Sequence, residues 1–143
     1  MKRNLFSFEC TAYKNKHLGM FVSWMILNGL IADKHKSNAL SVLMKVMNKE
    51  ITGLEFIAIA CDGNMKETDF NDEGKLFAHY YLCCSSNNDF SLYTKDCLTV
   101  FRKSLSSILE VENTWINYQQ IKPVIATKFL TWRELQNNYC LQK

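Results

Sequence analysis

The chain has 143 residues, 48% of them hydrophobic, 13% aromatic and 22% charged, with a net charge of +3. This length suits one domain with a core large enough to need no metal or disulfide staple. High aromatic content with low net charge excludes intrinsic disorder, and the basicity is too slight for a dedicated nucleic-acid binder.

Residues 4–13 alternate weakly between apolar and polar and predict a short strand or extended arm over residues 1–16. Residues 17–32 carry no Asp, Glu, Lys or Arg. A membrane span needs roughly 20 apolar residues, so this run is too short, and it starts too late and ends too poorly to be a secretory signal. It reads as a central helix that is apolar on all sides. Gly19 and Ser23 share a face suited to a close helix contact. Asn28-Gly29 suits a left-handed cap, with Leu30 and Ile31 folding back as its apolar partners. His17 belongs at the helix terminus, in a cap or a core hydrogen bond. The expected location is the cytoplasm, without processing and without a membrane.

Ser37 or Asn38 predicts the cap of a second helix near 38–49, with an inward stripe of Leu40, Leu43, Met44 and Met47. Thr52 followed by Glu55 spells a capping box for a third helix, which Asp62-Gly63 ends. Asp69 or Asn71 opens a fourth helix over about 70–84, where Gly74 offers a close contact. A loop at 85–89 precedes a fifth helix over about 89–103. Val111, Trp115, Tyr118, Ile121, Ile125, Phe129 and Trp132 keep helical spacing across two segments. Pro123 predicts a kink or break between them. No strand is expected after residue 16. The fold class is therefore all-α, a single-domain bundle of about six or seven helices with the helical core at 17–137.

Six cysteines stand at 10, 61, 83, 84, 97 and 140. They lack Cys-x-x-Cys spacing, the histidines at 17, 35 and 79 form no zinc pattern, and the cysteines read as small buried hydrophobes. No metal, cofactor or disulfide framework is expected. "DFNDEG" (69–74) begins like a calcium loop, but Tyr80 stands where the bidentate Glu should be, so a carboxylate-rich helix start explains it better. Nucleophile elbows, zinc-protease and phosphate-loop motifs are absent. His79 and Cys83 are helical neighbours, but an acidic segment does not activate a thiol. The expectation is a protein that is not an enzyme.

The charge is segregated: residues 1–49 carry a net +6, residues 50–94 a net −6 and residues 95–143 a net +3. An acidic island in a basic chain suggests a surface for a charged partner. The candidate partner-binding residues are Asp62, Glu67, Asp69, Asp72 and Glu73, with Tyr80 or Tyr81 as an aromatic anchor.

"HLGMFVSWMILNGL" (17–30), "KEITGLEFIAIACDG" (49–63), "DFNDEGKLFAHYYL" (69–82) and "VENTWINYQQIKPVI" (111–125), ending in Phe129 and Trp132, together resemble a family of small uncharacterised bacterial proteins, a domain of unknown function. Members look like accessory proteins in bacterial toxin neighbourhoods. The resemblance implies an immunity protein of a contact-dependent inhibition or polymorphic toxin system, which would bind a cognate toxin domain and block its active site. Many such toxins are nucleases with basic grooves, which an acidic patch would complement. The alternative is a regulatory or scaffolding protein holding a peptide or protein partner in a groove near Trp24 and Trp115.

Overall fold

A computed structural model describes residues 9–11, 16–82 and 91–141. They form a predominantly helical fold of seven α-helices: α1 (Leu18–Leu27), α2 (Asp33–Asn38), α3 (Leu40–Met47), α4 (Gly53–Ala60), α5 (Asp72–Leu82), α6 (Leu92–Phe101) and α7 (Trp115–Leu141). Two 3₁₀ segments, Glu67–Asp69 and Leu105–Glu110, join them. β1 (Glu9–Thr11) falls in the expected strand or arm and pairs antiparallel with β2 (Asn64–Lys66), Cys10 facing Met65; β2 departs from the expectation of no strand after residue 16. Three residues are too few for an alternation to be seen, so β2 leaves no signal in its own sequence. The rest of the predicted arm and the 85–89 loop lie outside the described residues.

The central helix is α1, in which every residue from Leu18 to Ile26 is buried. Phe21 is fully buried, with Phe70, Phe77, Tyr81 and Tyr93 packed around it at ring separations of 5.5–6.4 Å. The end of α1 is a Schellman closure: Gly29 (φ 72°) donates to the Ile26 carbonyl and Leu30 to that of Met25, while Leu30 is buried. Gly53 lets α4 lie directly on α1, because a Cβ there would collide with the carbonyl of Gly19 and the backbone of Ser23. Its N–H donates to the Ser23 hydroxyl at 2.8 Å, and that hydroxyl donates to the Gly19 carbonyl at 3.1 Å. The Thr52–Glu55 capping box opens α4 in both directions.

The expected second helix is two. Ser37 and Asn38 fall inside α2, which breaks at Ala39 before α3 begins. Only Leu43 and Val46 of α3 are buried. Leu40, Met44 and Met47, expected to face inward, are 54%, 48% and 55% exposed. A helix two turns long can bury one narrow stripe, and Val46 takes the place given to Met47.

The largest correction concerns Pro123. The last helix does not break there but runs unbroken from Trp115 to Leu141. Its buried positions, Tyr118, Ile121, Ile125, Phe129 and Trp132, stay in phase across the proline. Pro123 itself is exposed. Burial of that continuous stripe outweighs the lost backbone hydrogen bond, and the Gln119 carbonyl left without an amide partner lies one turn back on the same side. No helix among the described residues is long and apolar enough to cross a membrane.

Candidate functional site

The acidic island does not form one surface. Asp62 is exposed in the left-handed turn that closes α4 (φ 53°). Glu67 is half-buried at the start of the 3₁₀ segment after β2. Asp72 is exposed in the first turn of α5, and the half-buried Glu73 accepts from the Arg133 guanidinium of α7 at 2.9 Å. Tyr80 lies two turns further along α5, with Leu76, His79, Trp132 and Gln136, in a cleft of about 420 Å³ between α5 and α7. Glu73, Leu76 and Tyr80 follow i, i+3, i+7 spacing and so line one face of α5.

Two of the seven expected contact residues face inward. Tyr81 is 0% exposed and donates to Asp96 Oδ2 at 2.6 Å, while the Lys128 ammonium stands 3.6 Å from the same oxygen. Burial, then the Asp96 carboxylate, hold its phenol far above the ordinary range. Asp69 is 7% exposed. It accepts from His35 Nε2 at 2.9 Å and the Lys66 N–H at 2.8 Å, and pairs with Lys34 Nζ at 3.2 Å. Burial alone would raise its pKa. The Lys66, Lys34 and His35 donors outweigh burial and hold the carboxyl below the usual value. Neither residue presents surface to a partner. Helical spacing could not separate Tyr80 from Tyr81, which are adjacent; Tyr81 is the one that α1 and α6 cover, through Phe21, Tyr93 and Asp96.

The helix start is built as a cap rather than a cation loop. Asn71 accepts the Gly74 N–H at 2.7 Å through Oδ1 and donates to the Gly29 carbonyl at 3.0 Å. The Asn71 N–H donates to the Leu30 carbonyl, and the Ala32 N–H to that of Asp69. A Cβ at Gly74 would meet the Leu30 carbonyl, so the close contact expected there is real. The groove expected near Trp24 is filled: Trp24 is buried against Phe77 and Phe129 at 5.9 and 5.2 Å. Trp115 instead packs on Tyr118, with Lys49 Nζ 5.7 Å from its ring centroid. Cys83, the expected neighbour of His79, lies outside the described residues.

A second polar cluster has no precursor in the sequence motifs. The segment 67–71, laced to 29–32, places Asp69 beside His35 of α2 and beside Cys61, the residue that caps the end of α4. One ligand atom from each of the three lies within 4.8 Å of the others. The His35 ring is held edge-on to Phe56 at 5.3 Å. A cleft of about 420 Å³, lined by Lys34, His35, Asn38, Ser41, Ile59 and Asp69, opens beside them. Burial, together with the charges of Asp69 and Asp62 and against that of Lys34, pushes the Cys61 thiol up to about 12. An unliganded Cys61 is therefore a neutral thiol near pH 7 that reacts slowly as a nucleophile. His35 is 26 residues from Cys61 and Cys61 is 8 from Asp69, and no local spacing rule links them.

The fold and these two sites define a mostly helical domain with surface carboxylates and a largely buried cluster of His35, Cys61 and Asp69. The chain belongs to the family described as a domain of unknown function, DUF7832, which matches residues 8–111. The match includes that cluster and the start of α5 and ends before α7. No curated protein and no solved structure matches the chain.

Proposed function

We propose that this chain is a non-catalytic protein-binding domain, an immunity protein that neutralises a cognate bacterial toxin domain, in keeping with a nuclease whose basic groove would meet its carboxylates. The observation that carries the reading is the α5–α7 cleft. Tyr80 and the exposed Leu76 sit there, with Asp72 and Glu73 at one end. An amphipathic aromatic anchor with carboxylates at its margin is a combination that protein interfaces favour. The carboxylates would speed encounter with a basic partner, and the aromatic would slow its release. Glu67, whose charge acts on His79 of the cleft, Asp72, Glu73 and Tyr80 remain as contact residues there, and Asp62 as one outside it; Asp69 and Tyr81 serve the fold.

The exposed stripe of Leu40, Met44 and Met47 favours a second reading: a regulatory or scaffolding protein with a peptide or protein partner. Co-expression with the toxin domain proposed as partner separates the two. Under the immunity reading the wild-type chain restores growth, Asp62→Lys with Asp72→Lys slows association about 10-fold, and Tyr80→Ala weakens binding by about 2 kcal/mol. No protection by the wild-type chain would leave the second reading, with the exposed stripe of α3 as its surface.

A further inference from the structure

We propose that His35, Cys61 and Asp69 form a binding site for a divalent cation of the zinc class, through His35 Nε2, Cys61 Sγ and one Asp69 carboxylate oxygen. The three donor atoms come from three different elements and lie within 4.8 Å of one another. A tetrahedral zinc with ligand bonds of about 2.0–2.3 Å separates its donors by about 3.2–3.8 Å. The His35–Asp69 pair stands at 2.9 Å and has to widen by a few tenths of an ångström. The sulfur has to move inward by about an ångström at most.

Several features already suit a cation. Asp69 presents Oδ1 to the cluster while its other oxygen accepts the Lys66 N–H at 2.8 Å, which orients the carboxylate from behind. The Phe56 ring fixes the plane of His35. His35 and Asp69 both line the cleft, which supplies an entry path and room for a water as fourth ligand. A mixed nitrogen, sulfur and oxygen set suits zinc or cobalt and not magnesium or calcium, which demand oxygen alone. The present occupant of the site is the Lys34 ammonium, 3.2 Å from Asp69 Oδ1. Its side chain is 47% exposed and can swing into the cleft.

The proton balance is specific. The metal takes the Nε2 lone pair of His35, so in the neutral ring the proton sits on Nδ1. Cys61 loses its S–H proton to solvent as the metal–sulfur bond forms. One proton leaves per cation bound, and nothing is oxidised or reduced.

Titration of the chelator-treated full chain with cobalt chloride tests the site independently of any protein partner. One cobalt per chain is expected, with a thiolate-to-cobalt absorption band and release of one proton. Cys61→Ser abolishes the band, and His35→Ala lowers affinity on the order of 100-fold. Lys34→Met, which removes the competing cation, tightens binding, whereas a cluster that is only an ion-pair network gains no metal affinity from it. A band that is absent in the wild-type chain, or that survives in both Cys61→Ser and His35→Ala, overturns the proposal. Should those variants fail to fold, alkylation of wild-type Cys61 with and without zinc chloride decides. At least 10-fold protection supports the site, and unchanged reactivity refutes it.

Discussion

Acidification from pH 7 to pH 5 should destabilise this fold through His17. The imidazole is 5% exposed, and its Nε2 lies 3.0 Å from Thr94 Oγ1, which also accepts from the Ser91 hydroxyl at 3.2 Å. Its Nδ1 is buried with no hydrogen-bond partner, and Tyr93 stacks on the ring at 5.8 Å. An imidazolium there would need a second acceptor, and burial pushes the pKa down from 6.5 to about 4. The unfolded chain takes up a proton at His17 below about pH 6.5 and the folded chain does not. Stability is therefore fully present above that value and falls as the pH drops toward 4. At about 1.4 kcal/mol per pH unit, the loss is about 2 kcal/mol by pH 5. Urea unfolding at pH 7 and pH 5, at one ionic strength, measures it in the wild-type chain and in His17→Gln. The wild type should lose about 2 kcal/mol more than the variant, since His35 and His79 are common to both. Equal losses would refute the reasoning, as would a His17 imidazole that titrates near 6.5 by NMR in the folded wild-type chain.

Gly53→Ala should destabilise by about 1–3 kcal/mol, the usual cost of overpacking, because the methyl meets backbone rather than movable side chains. The same change at Gly63, which has nothing within 4 Å but a φ of 83°, should cost only the backbone strain of about 1–2 kcal/mol; urea midpoints of the two variants provide the comparison, and a neutral Gly53→Ala would mean that α1 and α4 are not in such close contact. Pro123→Ala should stabilise by about 1–3 kcal/mol, since it restores an amide for the Gln119 carbonyl inside a continuous helix. An unchanged melting temperature would instead place a break in α7.

What the sequence disclosed were features written in neighbouring residues. Thr52 and Glu55 are three apart and form the capping box, and Asn28-Gly29 ends α1 with Leu30 folded back, because these motifs are complete within a few residues. Gly53 is the first residue of a helix, and nothing in its neighbours signals the closeness to Gly19 and Ser23 that joins α4 to α1. Three misreadings share one cause, which is that tertiary packing chooses among locally equal options. Leu40, Met44 and Met47 make as good an apolar stripe as Leu43 and Val46, but only one stripe reaches the core. Pro123 opposes a helix locally, and the buried run from Tyr118 to Trp132 overrides it. Asp69 and Asp72 are both acids at a helix start, and only the approach of α2 turns the first inward. The joining of His35, Cys61 and Asp69 was illegible for the same reason, since it requires the chain to fold segment 67–71 back onto residues 29–32.

Binding and folding must separate cleanly between neighbouring residues of the acidic segment, and this bears most directly on the proposed interface. The measurement is the affinity for the toxin domain proposed as partner, set beside the melting temperature, for Asp62→Lys/Asp72→Lys/Tyr80→Ala and for Tyr81→Phe. The expected result is that the triple variant loses on the order of 100-fold or more in affinity while staying folded, with a melting temperature lowered only by the lost stacking of Tyr80 on Phe77. Tyr81→Phe, which removes the hydrogen bond to Asp96, melts earlier but still binds. A triple variant that binds like the wild type while growth protection persists would contradict the α5–α7 surface as the place where a partner docks.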